Sequence, residues 1–179
     1  MLSERKQKSY NFEWAGLGDI ALGRPNLGHN VPVLVYRLLQ YTFQEALVAE
    51  VGAEKANEIF VDAGRIAGSS FCKNLLDIGL GFDEFIANLQ KVLKELSIGV
   101  LRIEKADSAS GQYTVTVAED LDCSGLPFSD EVVCQYDEGF LAGVFETYTG
   151  KPFTVKEIDC WASGGRVCRF DVRQSRKSP

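Results

Sequence analysis

Between Val133 and Val172 the chain reads VCQYDEGFLAGVFETYTGKPFTVKEIDCWASGGRVCRFDV, and three of its five cysteines fall inside this stretch. Cys134 is followed after twenty-two residues by Glu157, after two more by Cys160, and after seven more by Cys168. Local signals divide the stretch into a helix and a hairpin. Ser129 is a candidate N-cap, with Asp130 and Glu131 in the first turn, where negative charge offsets the helix dipole. Gly150, with Pro152 just beyond, ends that helix. Two runs of period two, Phe153–Trp161 and Arg166–Val172, then flank a turn at Ala162–Gly165. Cys134 thus rides on the helix, and Glu157, Cys160 and Cys168 on the hairpin. Three thiolates and a carboxylate brought together from two elements suit zinc, which takes sulfur and oxygen in a tetrahedron. Four protein ligands leave no position for water or substrate, so such a metal is structural.

Strict alternation along a strand puts Glu157 and Cys160 on opposite faces. Ligation by both requires a bend or bulge near Asp159; without one, Asp159 or Cys123 is left to supply the fourth ligand. Three buried, unligated thiols and a Cys160–Cys168 cross-strand disulfide are the competing readings, the second disfavoured in a reducing compartment. Cys72 lies in a helical pattern and reads as core filler. Cys123 lies in a loop and reads as an exposed thiol, and the acidic run Glu119, Asp120, Asp122 beside it as a solvated loop.

With 179 residues, 45% hydrophobic and 25% charged, the chain has the length and composition of one globular domain. A net charge of −6, with no basic stripe outside Arg173–Lys177, argues against binding nucleic acid by itself. No apolar run reaches the roughly 18 residues a membrane span needs. The polar start MLSERKQKSYNFEW lacks a secretory h-region, so a cytoplasmic protein with reduced cysteines is expected.

Residues 1–10 read as a disordered lead-in and 11–175 as a single domain. Phe12 to Asn30 mixes apolar residues with Gly and Pro, and reads as a strand or extended arm broken by turns at Gly23–Pro25 and Gly28–Asn30. Three helices follow. Val31–Val51 is apolar on nearly every side and is expected to be wrapped by other elements. Ala53–Leu76 carries Gly64 and Gly68, four apart, where another backbone can approach. Asp83–Leu96 has its apolar residues at helical spacing. Ile98–Glu104 and Gln112–Ala118 then alternate as strands joined by Ala106–Gly111. Helices first, then antiparallel strands with one helix between them, is an α+β pattern. Gly139 and Gly143 on the fourth helix repeat the four-residue spacing and invite a close helix contact, in the core or across a dimer.

In Cys134, Gly139, Gly143, the Gly150-Lys151-Pro152 turn, Glu157, Cys160, Gly164 and the Cys168-Arg169 pair, the chain resembles the 4-vinyl reductase domain family. Within it, the likeness is to the zinc-bearing sensory domains of bacterial aromatic-responsive, enhancer-binding activators. The resemblance implies that Cys134, Glu157, Cys160 and Cys168 hold one structural zinc. It implies helices packed on an antiparallel sheet, as in 4-vinyl reductase domains and vesicle-tethering subunits, and a homodimer. It also implies an apolar pocket between helices and sheet, for which Tyr36, Phe43, Phe60, Phe71, Phe85 and Glu138 are the candidate lining.

Three departures bear on the ligand. Glu138 stands where the phenol-sensing members have an aromatic residue, and Val155 where they have a tyrosine. The only histidine, His29, lies far upstream, so phenol itself is not the expected ligand. The expectation is a stand-alone sensor or carrier that binds an apolar, aromatic or lipid-like small molecule. The alternatives are an enzyme or accessory in tetrapyrrole vinyl-group reduction, and a structural adaptor related to vesicle-tethering subunits. No base, phosphate loop or nucleophile elbow makes a catalytic arrangement.

Overall fold

The computed structural model describes residues 11–175, and the expected lead-in over residues 1–10 lies outside them. Contacts divide the chain after Asn30. In the first unit Trp14–Leu17 forms a 3-10 turn and Ile20–Gly23 a one-turn helix, α1. Asp19 caps α1 by accepting from the Leu22 N–H at 2.9 Å. The strand or arm expected over Phe12–Asn30 is thus a run of turns. Glycine and proline punctuation outweighs the apolar content of so short a segment.

The second unit begins at Val31 and holds α2 (Val33–Val51), α3 (Ala53–Leu75), α4 (Phe82–Glu95), β1 (Val100–Asp107), β2 (Gln112–Ala118), α5 (Gln135–Thr149), β3 (Phe153–Asp159) and β4 (Cys168–Gln174). The strands form one antiparallel sheet in the order β1-β2-β4-β3. Helices on an antiparallel sheet make this the expected α+β fold. Helices α4 and α5 lie on the sheet, α3 packs on α5, and α2 lies on α3. Phe85, Phe145, Phe170, Val115 and Val172 fill the space between helices and sheet. Phe85 stacks on Tyr148 with ring centroids 3.9 Å apart.

Helices α3 and α5 touch backbone to backbone through four glycines. A methyl group at Gly139 would stand 1.9 Å from the Val61 carbonyl oxygen, and one at Gly64 2.0 Å from that of Tyr136. Gly68 and Gly143 are as tight, at 2.0 Å from Phe140 O and 2.3 Å from Arg65 O. The small-residue spacing seen on both segments is therefore a single seam. It carries α5, with Cys134 at its N-terminal cap position, at a fixed height over the sheet.

Two expectations need correction. Helix α2 is not wrapped: none of its residues is buried, because α3 is the one helix it packs against. Helix α5 starts at Gln135, not beside Ser129. The Ser129 N–H instead donates to Ala162 O at 2.7 Å, which holds the preceding linker against the hairpin turn.

Candidate metal centre

The sulfurs of Cys123, Cys134, Cys160 and Cys168 lie within 4.8 Å of one another, and all four residues are buried. Three elements and one loop deliver them. Cys134 sits at the start of α5, and Cys168 opens β4 opposite Val117 of β2. Cys160 follows β3 in a tight turn whose Ser163 and Gly165 N–H groups donate to its carbonyl, at 3.2 and 2.8 Å. Gly165 is needed there, since a methyl group would meet Cys160 O at 2.8 Å and Asp159 Oδ1 at 2.6 Å.

Cys123 arrives by a device that is local in chemistry and remote in sequence. The Asp120 carboxylate accepts from the N–H groups of Asp122 and Cys123 at 2.8 and 3.0 Å, and so curls the chain after β2. Helix α2 grips the curl. Arg37 donates to the carbonyls of Leu121, Ser124 and Asp120 at 2.8, 2.9 and 3.4 Å. Tyr36 donates to Asp122 Oδ1 at 2.7 Å, and Tyr41 to Asp122 O at 3.0 Å. Asp120 and Asp122 are buried by this grip, where a solvated loop was expected, and Cys123 is fully enclosed, where an exposed thiol was expected.

The sulfur spacing fits a tetrahedral ion. With metal–sulfur bonds of about 2.3 Å, the edge of such a tetrahedron is about 3.8 Å. Cys134 lies 3.8 Å from Cys160 and 3.7 Å from Cys168. Cys123 and Cys168 are closer, at 3.0 Å, well beyond a disulfide bond, and all five cysteines are free. Hydrogen bonds from Cys123, Cys134 and Cys168 push the Cys160 thiol far below its ordinary range. Those from Cys123 first, and then Cys160, hold Cys134 and Cys168 well above theirs. A divalent cation can replace the thiol protons and let all four sulfurs ionise.

Glu157 reaches the start of α5. The register of β3 shifts between Glu157 and Asp159, so the bulge that alternation demanded is there, at Ile158. It turns both Glu157 and Cys160 inward. Glu157 Oε2 accepts from the Cys134 N–H at 3.1 Å, and Oε1 is buried without a partner. Burial pushes the Glu157 carboxyl up to about 8. The Cys123 sulfur, an alternative fourth ligand in the sequence reading, groups with the other three. Asp159 is turned away, its Oδ2 accepting from Arg169 at 2.8 Å.

The six candidate pocket residues lie in several parts of the fold. Phe85 and Phe71 are core, Phe71 packing edge-on against Phe140 at 5.1 Å. Phe43 and Phe60 meet at 6.2 Å where α2 crosses α3, and Tyr36 serves the Cys123 loop. Glu138 lines an open cleft of about 590 Å³ with Glu54, Glu58, Val61, Val132, Lys156 and Glu157. It is also a structural acceptor, receiving the Glu157 N–H and the Lys156 ammonium, each at 2.9 Å. Glu138→Ala leaves that buried N–H unpaired and should cost about 1–3 kcal/mol in urea unfolding, with Glu138→Gln, which keeps an acceptor, costing clearly less.

With this geometry in hand, comparison with known proteins places the chain. The family model for the 4-vinyl reductase domain matches residues 113–174, which span β2, the Cys123 loop, α5 and the hairpin. The uncharacterized protein MJ1642 of Methanocaldococcus jannaschii is 31% identical over 147 residues, covering 82% of this chain and 80% of that one. The chain belongs to the 4-vinyl reductase domain family, the one its cysteine pattern resembles. The phenol-responsive sensory domain of the transcription activator PoxR, solved with phenol, shares the fold with a TM-score of 0.62 at 15% identity, over 82% of this chain and 76% of that one. So does a trafficking protein particle complex subunit 3 from Naegleria fowleri, covalently bound to palmitic acid, with a TM-score of 0.57 at 13% identity, over 79% and 96% of the two chains. Among the described residues, no helix is long and apolar enough to cross a membrane.

Proposed function

We propose that this protein is a sensory or carrier domain for an apolar or aromatic small molecule, working as a cytoplasmic homodimer around a structural zinc held by Cys123, Cys134, Cys160 and Cys168. The donor set supports zinc: four soft, buried sulfurs within 4.8 Å of one another, with the two edges from Cys134 to Cys160 and Cys168 at tetrahedral length. The metal's task in this reading is to lock the hairpin, the start of α5 and the Cys123 loop into one unit.

The observation that carries the reading is the division of labour on α2. Leu34, Leu38 and Leu39 on this helix are 75%, 63% and 71% exposed, while its Tyr36, Arg37 and Tyr41 are bonded to the loop that bears Cys123. Such an apolar surface, rigidly linked to a metal-locked core, serves to be covered. A second copy covers it, and the ligand sits beside Phe43 and Phe60, where α2 meets α3. Ligand uptake then shifts α2, and its polar grip carries the shift to the loop and the sheet. The similarity to a phenol-bound sensory domain and to a palmitate-bearing subunit supports an apolar ligand.

Native mass spectrometry of freshly purified protein tests the reading, and should show a dimer that retains zinc and releases an apolar compound. Leu34→Glu/Leu38→Glu should give a monomer that has lost the compound but kept its metal. A wild-type monomer that takes up no aromatic probe would overturn it.

A further inference from the structure

Among the described residues, every buried side-chain polar atom that lacks a hydrogen-bond partner is an acceptor: Gln40 Oε1, Asp122 Oδ2, Asp137 Oδ2 and Glu157 Oε1. Three of these four belong to one patch beside Cys134. Asp122 is only 3% exposed and faces both Asp120 and Asp137, and the Gln40 amide stands beside it. The donors at hand, the Tyr36 hydroxyl and the Gln40 amide, go to Asp122, and three acceptor oxygens of the patch are left without a partner. One carboxylate oxygen of Asp120, one of Asp137 and the Cys134 sulfur lie within 4.8 Å of one another. Cys134 is therefore common to two groups, with three further sulfurs on one side and two carboxylates on the other.

We propose that Asp120, Asp137 and a bridging Cys134 thiolate hold a second divalent cation of the zinc class, with the free Asp122 oxygen facing it. This rests on the four-cysteine site proposed above. The individual atoms are disposed for it. Asp120 has Oδ1 bound by two backbone N–H groups, which leaves Oδ2 to ligate. Tyr36 ties down Asp122 Oδ1 and leaves Oδ2 free and closed to solvent. Asp137 lies in the first turn of α5, three residues after Cys134, so both point to the same side of that turn. Charge favours the same arrangement. A divalent ion on four thiolates is still an anionic complex, and buried carboxylates beside it add to the burden. The nearby guanidinium of Arg37 is committed to three loop carbonyls. A second cation neutralises the patch and bridges to the first through sulfur.

Cobalt titration of metal-free protein, kept reduced and followed by optical and electron paramagnetic resonance spectra, tests this. The first equivalent should give intense sulfur-to-cobalt bands and a high-spin signal. The second should bind with a weaker optical change and quench that signal, because the shared thiolate couples the two ions. Zinc-loaded wild type should retain two equivalents after desalting, and Asp137→Asn one. Asp122→Asn, which keeps the volume and the Tyr36 contact, should release the second equivalent at least tenfold more readily. A wild type that holds one equivalent and no more overturns the second site and leaves the four-cysteine site standing. Two equivalents with a doubled signal, or undiminished in Asp137→Asn, overturn it equally. Failure to bind any metal overturns the four-cysteine reading itself.

Discussion

Removing the metal should unfold the C-terminal half of this domain. Cys160→Ser, or a strong chelator with reductant present to keep Cys123 and Cys168 from oxidising at their 3.0 Å separation, should abolish hydrogen-exchange protection across β3 and β4. The magnitude follows from what the ion replaces. Apparent zinc binding in small structural sites reaches about 10–16 kcal/mol, against a total domain stability of about 5–15 kcal/mol. Besides the metal, β4 pairs with β2, and Glu138 on α5 receives the Glu157 N–H. The Cys123 loop has its own turn and the grip of α2, and the linker before α5 reaches the hairpin through the Ser129–Ala162 bond. Helices α3 and α4 should keep more protection than the hairpin, since neither carries one of the four clustered cysteines and Phe71 and Leu89 are buried on them. Uniform retention of the native exchange pattern after complete metal removal would show that packing alone holds the hairpin.

The second large effect is expected from one methyl group. Gly139→Ala gains about 1 kcal/mol in helix propensity, so a surface helix would be stabilised by it. Here the new carbon would sit 1.9 Å from Val61 O and 2.8 Å from Arg65 N, backbone atoms that cannot rotate aside. The helices must part, and Gly64, Gly68 and Gly143 along the same seam lose their contacts together. Overpacking of a core usually costs about 1–3 kcal/mol, and contact with rigid backbone belongs at or above the top of that range. The clash therefore outweighs the propensity gain, and the net loss should be about 3 kcal/mol. For a chain of this size that lowers Tm by roughly 10 °C. Metal affinity should fall as well, because Cys134 travels with α5. Gly150→Ala offers a contrast: Gly150 ends α5 at φ +69 with open space around it, so its substitution strains only the cap and should leave metal binding unchanged.

Much of the architecture was legible because it is written in local patterns. The switch from helical to alternating periodicity places the boundary between helices and sheet within a few residues. The bulge at Ile158 follows from a conflict in the sequence alone: two inward residues three apart in a strand need one extra residue between their faces. Three of the four clustered cysteines were legible for the same reason, lying on one helix end and one hairpin. Cys123 was not, because its place depends on an Asp120 turn and on Arg37, some eighty residues upstream. The signals that mark it are the carboxylate two and three residues before the N–H groups it caps, and the presence of a fourth cysteine without other employment. The same remoteness hid the burial of Asp122, which depends on Tyr36. Exposure of α2 was illegible in principle, since its composition is that of a covered helix and the sequence does not state what covers it.

X-ray absorption at the zinc edge, on protein loaded with a single equivalent, measures the proposed site directly. The expected result is four sulfur neighbours at about 2.3 Å, with tight binding lost in Cys123→Ser and kept in Glu157→Gln. Three sulfurs with one oxygen at about 2.0–2.2 Å, and binding that survives Cys123→Ser but not Glu157→Gln, would contradict it.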